Sequence, residues 1–533
     1  MSCKDYDIII KDGVLCTPGT ELNVPKGLGH YIIEGCNKFS KNIFQICQFT
    51  NASITYSDFK IQSLNLAANL RHLCGVQPGD IVMTSMKNSL VNSLPVAAAF
   101  YLNAVTSSID PTISARDCEY LINLAQPKII IVDAEVQEKI EEAIQNLTLK
   151  PKLIVNCSQP ASESNEHLHL QNLLLSTEIS TGFEPVIVKD SNKSMAAILF
   201  SSGTTGFPKG ICLNHQSVYF AGVTMHELMD MPQVYLLCTT FYWISGLGMF
   251  AGQFIKGSSK VALKTFDIHE FSRLCIQNKV EGTFLATSYL SKLLQYKDLV
   301  NQTPLKSLIA GGMMANKGQF AVMQSTFPQI NFNQVYGMTE CGGPICAFTA
   351  NYRHDIKKFP ESTGPPIEGF SIKIVDSETG KILGPNQQGE IYCKSKYSMM
   401  GYYRNDVDQA FDKDGFIKSG DLGYYNENKM IFISGRSKDM FKYQSWHIVP
   451  ASLESIILEC DGVDEAIVFG IPHEEDGFLP SAAVTLHKKM RDKIKPEDIA
   501  NFVAERVADR QRLRGGVYIL TDFQERQLEK SKK

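Results

Sequence analysis

Residues 198–210 read Ile-Leu-Phe-Ser-Ser-Gly-Thr-Thr-Gly-Phe-Pro-Lys-Gly. The apolar run that ends at Phe200 predicts a short buried strand. The loop after it is rich in hydroxyl groups and in glycine, which allows the backbone to approach a ligand closely. Backbone N–H groups and hydroxyls on such a bend can surround phosphate oxygens. The residues that we assign to a bound phosphate are Ser201, Ser202, Gly203, Thr204, Thr205, Gly206 and Lys209.

This loop differs from the Walker phosphate loop, in which Gly-x-x-x-x-Gly-Lys precedes Ser or Thr. Here Gly203 and Gly206 are three residues apart, and Gly210 follows Lys209. A polar surface turn would use similar residue types. The complete thirteen-residue string is more specific. It resembles the signature of the adenylate-forming superfamily, which includes acyl- and aryl-CoA synthetases, peptide-synthetase adenylation domains and beetle luciferases.

The composition is that of a globular protein too long for a single core. The chain has 533 residues, 44% of them hydrophobic and 20% charged, with a net charge of −4. Such a balance argues against a nucleic-acid-binding surface and against long disordered segments. The 14 cysteines are scattered without a Cys-x-x-Cys pair. We therefore expect reduced thiols and no zinc site.

The ends of the chain carry weak targeting signals. Residues 1–7 are charged and lack the apolar core of a signal peptide. The most apolar segment, 94–105, is too short to span a bilayer and contains Asn103. The C-terminal Ser-Lys-Lys resembles a peroxisomal Ser-Lys-Leu address with a different last residue. We expect a cytoplasmic protein without a transmembrane segment, with peroxisomal import as the less favoured alternative.

The alternation of hydrophobic patterns predicts an α/β fold. The predicted helices and strands of the N-terminal part are helices at 58–73 (capped by Ser57), 91–102 and 115–125, and strands at 80–85, 105–109 and 128–132. This spacing favours a mostly parallel sheet with helices on its faces. The resemblance implies a large N-terminal domain of doubly wound sheets with a β-rich subdomain.

The resemblance also implies a small, mobile α+β lid domain at the C-terminus. We predict a boundary between residues 1–435 and 436–533, with a hinge near Lys438. The expected elements of the lid are helices at 450–458 and 496–507 and strands at 463–470, 482–486 and 517–520.

A second motif, Gln-Val-Tyr-Gly-Met-Thr-Glu at 334–340, delivers a ring, a hydroxyl and a carboxylate to one turn. Tyr336 can stack on a purine, and Glu340 can hold Mg²⁺ against phosphates. A Thr-Glu pair after glycine is alone most often a helix cap. The resemblance assigns Tyr336 and Gly337 to nucleotide binding, Thr339 to catalysis and Glu340 to the metal.

A third motif places Asp421 on a turn within residues 416–424. Its carboxylate can accept hydrogen bonds from both ribose hydroxyls, although an Asp-x-Gly turn that stabilises itself would look the same. The resemblance places Arg436, just before the hinge, close to the ribose and the phosphates.

Two further segments predict a substrate pocket. The aromatic and glycine-rich stretch 241–250 is typical of an apolar pocket wall or of a core turn. The strand that ends at Gly311 and Gly312 would let a flat ligand approach bare backbone. The resemblance places the adenine and the acyl group beside these segments. The residues that we assign to the pocket are Phe241, Trp243, Ser245, Gly246, Met313 and Gly343.

The resemblance implies a reaction in two steps that uses ATP, Mg²⁺ and CoA. A carboxylate attacks the α-phosphate of ATP, and positioning and electrostatics carry the rate. Aligning Gly-Gly-Val-Tyr at 515–518 with relatives places Lys530 as the lysine that reaches the α-phosphate. Lys442 begins the segment beside which CoA would form the thioester, and Ser445 stands there where relatives have glycine.

Three hypotheses follow. The favoured one is an acyl- or aryl-CoA ligase acting on a small carboxylic acid. The second is a luciferase-like enzyme that oxidises an adenylate with O₂. Ile244 and Ser245 stand where beetle luciferases have two histidines, which counts against the beetle substrate. The third is a non-catalytic nucleotide-binding paralogue. The acid and the oligomeric state stay open at this point.

Overall fold

The structure is a computed structural model of the 533-residue chain. The described residues are 7–19, 21–156, 167–175, 182–201, 208–313, 318–404, 410–443, 446–473, 476–491, 493–507 and 509–521.

The α-helices follow one another along the described chain as α1 (Leu28–Lys38), α2 (Tyr56–Cys74), α3 (Leu94–Tyr101), α4 (Ala115–Ala125), α5 (Gln137–Ile144), α6 (Leu170–Leu173), α7 (His215–Leu228), α8 (Ile244–Lys256), α9 (Ile268–Gln277), α10 (Leu290–Gln295), α11 (Lys297–Val300), α12 (Gln319–Thr326), α13 (Pro450–Ile457) and α14 (Pro496–Ala504). In this part of the chain, no helix combines the length and the apolar character needed to cross a membrane.

The first strands in chain order are β1 (Ile9–Lys11), β2 (Val14–Cys16), β3 (Ile43–Cys47), β4 (Ser53–Thr55), β5 (Ile81–Ser85), β6 (Val105–Ser108), β7 (Ile129–Asp133), β8 (Lys152–Asn156), β9 (Leu168–His169), β10 (Met195–Phe200), β11 (Gly210–Asn214), β12 (Val234–Leu237), β13 (Ser259–Ala262) and β14 (Gly282–Ala286). The remaining strands are β15 (Ser307–Gly311), β16 (Asn331–Gln334), β17 (Tyr336–Met338), β18 (Gly343–Cys346), β19 (Phe370–Val375), β20 (Gly389–Ser395), β21 (Gly401–Tyr402), β22 (Ile417–Tyr425), β23 (Ile431–Arg436), β24 (Phe441–Tyr443), β25 (Trp446–Ile448), β26 (Val463–His473), β27 (Gly477–Leu486) and β28 (Val517–Leu520).

Two large sheets and a smaller antiparallel sheet form the N-terminal part. The first sheet has the strand order β21-β11-β10-β6-β5-β7-β8-β9, and the second has β16-β15-β14-β12-β13-β3-β4. Most neighbours in both are parallel, as the predicted α/β alternation requires. The third sheet, β1-β2-β19-β20-β22-β23, is antiparallel. The predicted fold class is confirmed.

The C-terminal region forms its own five-stranded sheet, β25-β24-β27-β26 with β28 beside β27. A separate hydrophobic cluster, which includes Leu453 and Val484, packs beneath α13 and α14. A 3-10 turn, Ser437–Asp439, connects β23 to β24 at the predicted hinge. The boundary at residue 435 and the mobility of the lid stay predictions.

The predicted cap of the first long helix is wrong by two residues. The cap of α2 is Thr55 instead of Ser57, because Thr55 and Asp58 form a reciprocal capping box. The Thr55 hydroxyl accepts a hydrogen bond from the Asp58 N–H at 3.1 Å, and the Asp58 carboxylate accepts one from the Thr55 N–H at 2.9 Å. The helix ends at Gly75, which is in the left-handed conformation that favours glycine.

Helices α7 and α8 cross in close contact through glycines. A Cβ atom at Gly252 would lie 2.2 Å from Cδ2 of His226 and 2.3 Å from the carbonyl oxygen of Gly222. A Cβ atom at Gly222 would lie 2.6 Å from the nitrogen of Gly252. Bare backbone is therefore required on both helices, which explains why glycine stands inside a helix despite its low propensity.

A lysine is buried in the core of the second sheet. Lys260 on β13 has 1% of its surface exposed, and its Nζ lies 5.6 Å from the ring centroid of Phe241. Burial lowers the pKa of Lys260 to about 7. The face of an aromatic ring attracts an ammonium group, but less strongly than water solvates it. The charged form of Lys260 therefore disfavours the folded state.

We expect Lys260→Met to raise the free energy of unfolding by a few kcal/mol at pH 6, since one pKa unit is worth about 1.4 kcal/mol. Between the folded pKa near 7 and the unfolded value of about 10.4, the unfolded wild type binds more protons, so its stability rises with pH. The advantage of the variant should shrink towards pH 10. Urea titrations at pH 6, 8 and 9.5 check this, with the exposed Lys292→Met as control; an advantage that is independent of pH would contradict it.

Candidate nucleotide-binding site

The glycine-rich loop connects two antiparallel strands at one end of the first sheet. Strands β10 and β11 pair with Phe200 opposite Gly210, and the Ser201 N–H donates to the Lys209 carbonyl at 3.0 Å. This hydrogen bond closes the base of a β-hairpin. The predicted phosphate-binding residues Ser202, Gly203, Thr204, Thr205 and Gly206 lie outside the described residues.

Two predicted site residues, Tyr336 and Arg436, contact the carboxylate of a third, Asp421. The hydroxyl of Tyr336 donates to Oδ2 of Asp421 at 2.9 Å, and Nε of Arg436 lies 3.2 Å from Oδ1. Asp421 and Arg436 are directly opposite each other on the antiparallel strands β22 and β23. Tyr336 reaches them from the start of β17.

The irregular part of β22 just before Asp421 is stabilised by two side chains. The Asp421 N–H donates to Oγ of Ser419 at 3.0 Å, and the Gly420 N–H donates to a carboxylate oxygen of Glu390 at 3.1 Å. Gly420 has a φ of +72°, which favours glycine. The sequence predicted a turn here, but Asp421 lies within strand β22, at an irregularity in its pairing with β20. This irregular segment presents Asp421 to Tyr336 and Arg436.

Burial raises the pKa of Asp421, and the Arg436 guanidinium and the Tyr336 hydroxyl counteract that rise. Burial and the nearby Asp421 charge raise the pKa of Tyr336 well above its usual value, so Tyr336 acts as a hydrogen-bond donor. Each carboxylate oxygen of Asp421 has one donor here, whereas an ionised carboxylate can accept about four hydrogen bonds. Asp421 therefore keeps acceptor capacity for hydroxyl groups of a ligand.

Glu340 lies on a 3-10 turn, Thr339–Cys341, between the two short strands β17 and β18. Its carboxylate accepts a hydrogen bond from the hydroxyl of Tyr402 at 3.4 Å, and its carbonyl accepts one from the Met399 N–H at 2.7 Å. Burial raises the pKa of Glu340; Asp421 raises it further, while Tyr402 and Arg436 lower it. Glu340 therefore lies close enough to Asp421 and Arg436 to interact with both electrostatically.

The residues present fit a magnesium ion that is shared with phosphates. Within the described ranges, no group of three or more His, Cys, Asp or Glu side chains could hold a metal by itself. Mg²⁺ commonly uses one or two carboxylates together with substrate phosphates and water. Glu340 can supply one such carboxylate. Lys209 contacts the same Tyr402 side chain through its ring, with Nζ 4.9 Å from the ring centroid.

Two predicted glycine positions have different physical reasons. A Cβ atom at Gly337 would lie 2.5 Å from the Gly343 carbonyl oxygen, so close pairing of β17 and β18 requires glycine there. At Gly312 no atom lies within 4 Å of such a Cβ, but its φ of +90° favours glycine. Thr287 holds this turn, because its hydroxyl donates to the carbonyls of Gly311 and Met313 at 3.3 and 3.0 Å.

The aromatic and glycine-rich stretch 241–250 runs from a turn into the first part of α8, with Trp243 at the N-cap of the helix. Gly246 packs directly on the preceding turn, since its Cβ would lie 2.1 Å from the Thr240 carbonyl oxygen. Ser245 is buried, and a Cβ atom at Gly343 would lie 3.8 Å from Cγ1 of Ile244. The structure therefore brings the start of α8 next to β18, as a shared pocket wall requires.

The other predicted pocket residues lie in different environments. Phe241 is buried and contacts Phe250 edge to face, with ring centroids 5.6 Å apart. Trp243 and Met313 have 51% and 66% of their surfaces exposed. Phe241 thus belongs to the core in this structure, and Trp243 and Met313 lie at the surface of the candidate pocket region.

The two predicted catalytic lysines belong to the C-terminal region of the chain. Lys530 lies outside the described residues. Lys442 is on β24, opposite His447 of β25. The roles of Lys530, Lys442, Thr339 and Arg436 in catalysis stay predictions.

Sequence reasoning did not assign a role to Tyr402, Ser419, Glu390 or Thr287. Tyr402 belongs to a Gly-Tyr-Tyr string at 401–403. Ser419 is two residues before Asp421, and Glu390 is on the neighbouring strand β20. Thr287 gives no signal in the sequence, because its carbonyl partners lie more than twenty residues away.

Comparison with known proteins agrees with this geometry. The profile of the AMP-binding enzyme family matches residues 34–403, and that of the AMP-binding enzyme C-terminal domain matches residues 452–530. The chain belongs to the AMP-binding, or adenylate-forming, enzymes. The resemblance stated from the motifs is therefore confirmed.

Relatives from two functional classes are similar to the chain. The luciferin 4-monooxygenase of Photinus pyralis is 29% identical over 500 residues, covering 89% of this chain and 87% of that protein. A 4-coumarate–CoA ligase of Humulus lupulus is 26% identical, covering 92% and 90%. The luciferase-like enzyme from the nonluminescent mealworm Zophobas morio has a TM-score of 0.74 and 31% identity, covering 80% of this chain and all of that one.

We expect Asp421→Asn to weaken ATP binding about 10- to 100-fold, because it removes a charge that accepts hydrogen bonds and leaves Arg436 without its partner. Calorimetric titration with ATP measures the dissociation constant. Asp414→Asn is the control, since Asp414 also pairs with a cationic side chain, that of Lys373, but the Asp414 side chain is 56% exposed. Equal affinities of the two variants would remove Asp421 from the nucleotide site.

Proposed function

We propose that this protein activates a carboxylic acid with ATP, forming an acyl-adenylate and pyrophosphate, and transfers the acyl group to CoA. The observation that carries the proposal is the convergence of Tyr336, Glu340, Asp421 and Arg436 in one partly buried region. These groups can hold ribose, phosphate and metal together, which phosphoryl chemistry on a nucleotide requires.

The residues have distinct roles in the first half-reaction. Asp421 accepts the ribose hydroxyls, and Arg436, which already contacts Asp421, supplies positive charge beside the phosphates. Lys209 and the hairpin loop hold the pyrophosphate that leaves. Tyr336 and Gly337 form a face for the adenine next to the glycine turn at 311–312. The carboxylate oxygen of the acid then attacks the α-phosphorus, and the bond to pyrophosphate breaks.

Glu340 would hold Mg²⁺, which neutralises phosphate charge when bound. The side chain of Glu340 is kept in place by Tyr402 and its backbone by Met399. Burial raises the pKa of Glu340. A cation at this position would counteract that effect and favour the ionised carboxylate. Lys530 would meet the α-phosphate and the attacking carboxylate, and Lys442 would lie next to the thiol path of CoA.

A luciferase-like reaction is the second candidate, in which the adenylate is oxidised with O₂ after loss of a proton from the carbon next to the carbonyl. It is favoured by the similarity to the Photinus pyralis monooxygenase and to the Zophobas morio luciferase-like enzyme. Ile244 and Ser245 argue against the beetle substrate, because neither can act as an imidazole base. We therefore rank the ligase reaction first.

A panel of aliphatic and aromatic acids, assayed for pyrophosphate with ATP and Mg²⁺, tests the proposal. We expect release of pyrophosphate with at least one class of acid, and conversion to AMP and a thioester only when CoA is present. Light or consumption of O₂ without CoA would identify the second reaction instead. Binding of ATP without turnover across the panel would support a non-catalytic paralogue and overturn both.

We expect Lys530→Ala to lower the rate of adenylate formation about 10²- to 10³-fold, as for loss of one group that stabilises transition-state charge. ATP affinity should change little, because the proposed contact forms in the transition state. Lys532→Ala, two residues away, is the matched control. An unchanged rate of pyrophosphate release in Lys530→Ala would exclude this lysine from the first half-reaction.

A further inference from the structure

Tyr402 contacts two candidate ligand-binding groups that come from different motifs. Its hydroxyl donates to a carboxylate oxygen of Glu340 at 3.4 Å. The Nζ of Lys209 lies 4.9 Å from the centroid of its ring. One side chain therefore contacts both the proposed metal ligand and the lysine at the end of the phosphate loop.

The backbone around Tyr402 fixes this arrangement. Strand β21 pairs with β11, with Tyr402 opposite Ile211, and the Tyr403 N–H donates to the Gly210 carbonyl at 2.7 Å. Gly210 directly follows Lys209, so the same ladder that places the ring also places the base of Lys209.

The same segment also holds the turn that carries Glu340. The Met399 N–H donates to the Glu340 carbonyl at 2.7 Å, three residues before Tyr402. A tyrosine hydroxyl is protonated at neutral pH and can donate to a carboxylate, as that of Tyr402 does to Glu340. The β21 segment thus connects the hairpin of the phosphate loop to the 3-10 turn of the second nucleotide motif.

The two contacts act on opposite charges. A neutral hydroxyl that donates to Glu340 favours the ionised carboxylate that a metal needs. An aromatic face attracts the ammonium of Lys209 and limits the orientations that this long side chain can adopt. Without Tyr402, Lys209 and Glu340 would be free to approach each other and form an ion pair, which would compete with phosphate and metal.

We infer that Tyr402 is a positioning residue that keeps Lys209 and Glu340 apart and aimed at the phosphates and the metal of a bound nucleotide. The hydroxyl positions Glu340 for the metal, and the ring positions Lys209 for the phosphate. This inference rests on the proposed function, because it assumes that Glu340 and Lys209 bind Mg²⁺ and pyrophosphate.

Two variants separate the two parts of Tyr402. Tyr402→Phe removes the hydroxyl and keeps the ring, whereas Tyr402→Leu removes both. Tyr403→Phe and Tyr403→Leu are matched controls, because Tyr403 is the next residue and its ring contacts Arg404 instead. Thermal unfolding of all four variants reports whether each is folded.

Two binding measurements, neither of which needs an acid substrate, test the hydroxyl contact and the ring contact separately. Electron paramagnetic resonance titration of Mn²⁺ in the presence of ATP reports the metal. Calorimetry with inorganic pyrophosphate in the absence of metal reports the lysine. We expect Tyr402→Phe to weaken Mn²⁺ binding about threefold to tenfold, as for loss of one hydrogen bond to a charged group. Pyrophosphate binding should stay at the wild-type level.

We expect Tyr402→Leu to weaken Mn²⁺ binding similarly and pyrophosphate binding about twofold to fivefold, as for loss of one cation–π contact. The Tyr403 variants should match the wild type in both titrations. The inference is overturned if Tyr402→Phe binds Mn²⁺ as the wild type does, or if it weakens pyrophosphate as much as Tyr402→Leu. If Tyr402→Leu does not fold, the Mn²⁺ result for Tyr402→Phe alone decides it. Failure of the wild type to bind Mn²⁺ with ATP would instead count against the proposed function.

Discussion

The candidate site depends on how a buried carboxylate stays charged. Asp421 lies in an environment that raises its pKa, and an isolated buried charge is costly. Arg436 and Tyr336 supply the compensation, one from the neighbouring strand and one from a separate short hairpin. Asp421 therefore gains both partners only when the β17–β18 hairpin packs against the third sheet. The site is a consequence of that docking.

Much of the fold could be predicted from the sequence, because strong local patterns decide it. Helix α4 begins and ends where the periodicity placed it, at Ala115 and Ala125, and β28 likewise agrees with prediction. The errors arise where local signals compete. Thr55 and Ser57 both offer hydroxyls for a cap, and only the position of Asp58 decides between them. The glycines of α8 obscured a helix, because a long-range contact with α7 overrides their low propensity.

The motifs pointed to individual candidate residues, but not to the contacts among them. The motifs suggested that Tyr336 stacks on a purine and that Asp421 binds a ribose, whereas the contact between them joins residues 85 positions apart. The contact between Tyr402 and Glu340 spans 62 positions. Lys260 is a charged residue within a short strand, and only the folded structure shows that it is buried with its Nζ near the ring of Phe241. Such facts arise from tertiary packing, which a single sequence does not encode locally.

The glycine-to-glycine crossing of α7 and α8 has a consequence for how the substrate range can change. Because bare backbones touch there, neither helix can shift without a collision, and the pair behaves as a rigid wall. Widening the proposed acid pocket by separating these helices would give up this close backbone contact. We therefore expect divergence in substrate size to occur through side-chain replacement at the first turn of α8 and on β18. Such replacements would leave the proposed nucleotide-binding residues unchanged.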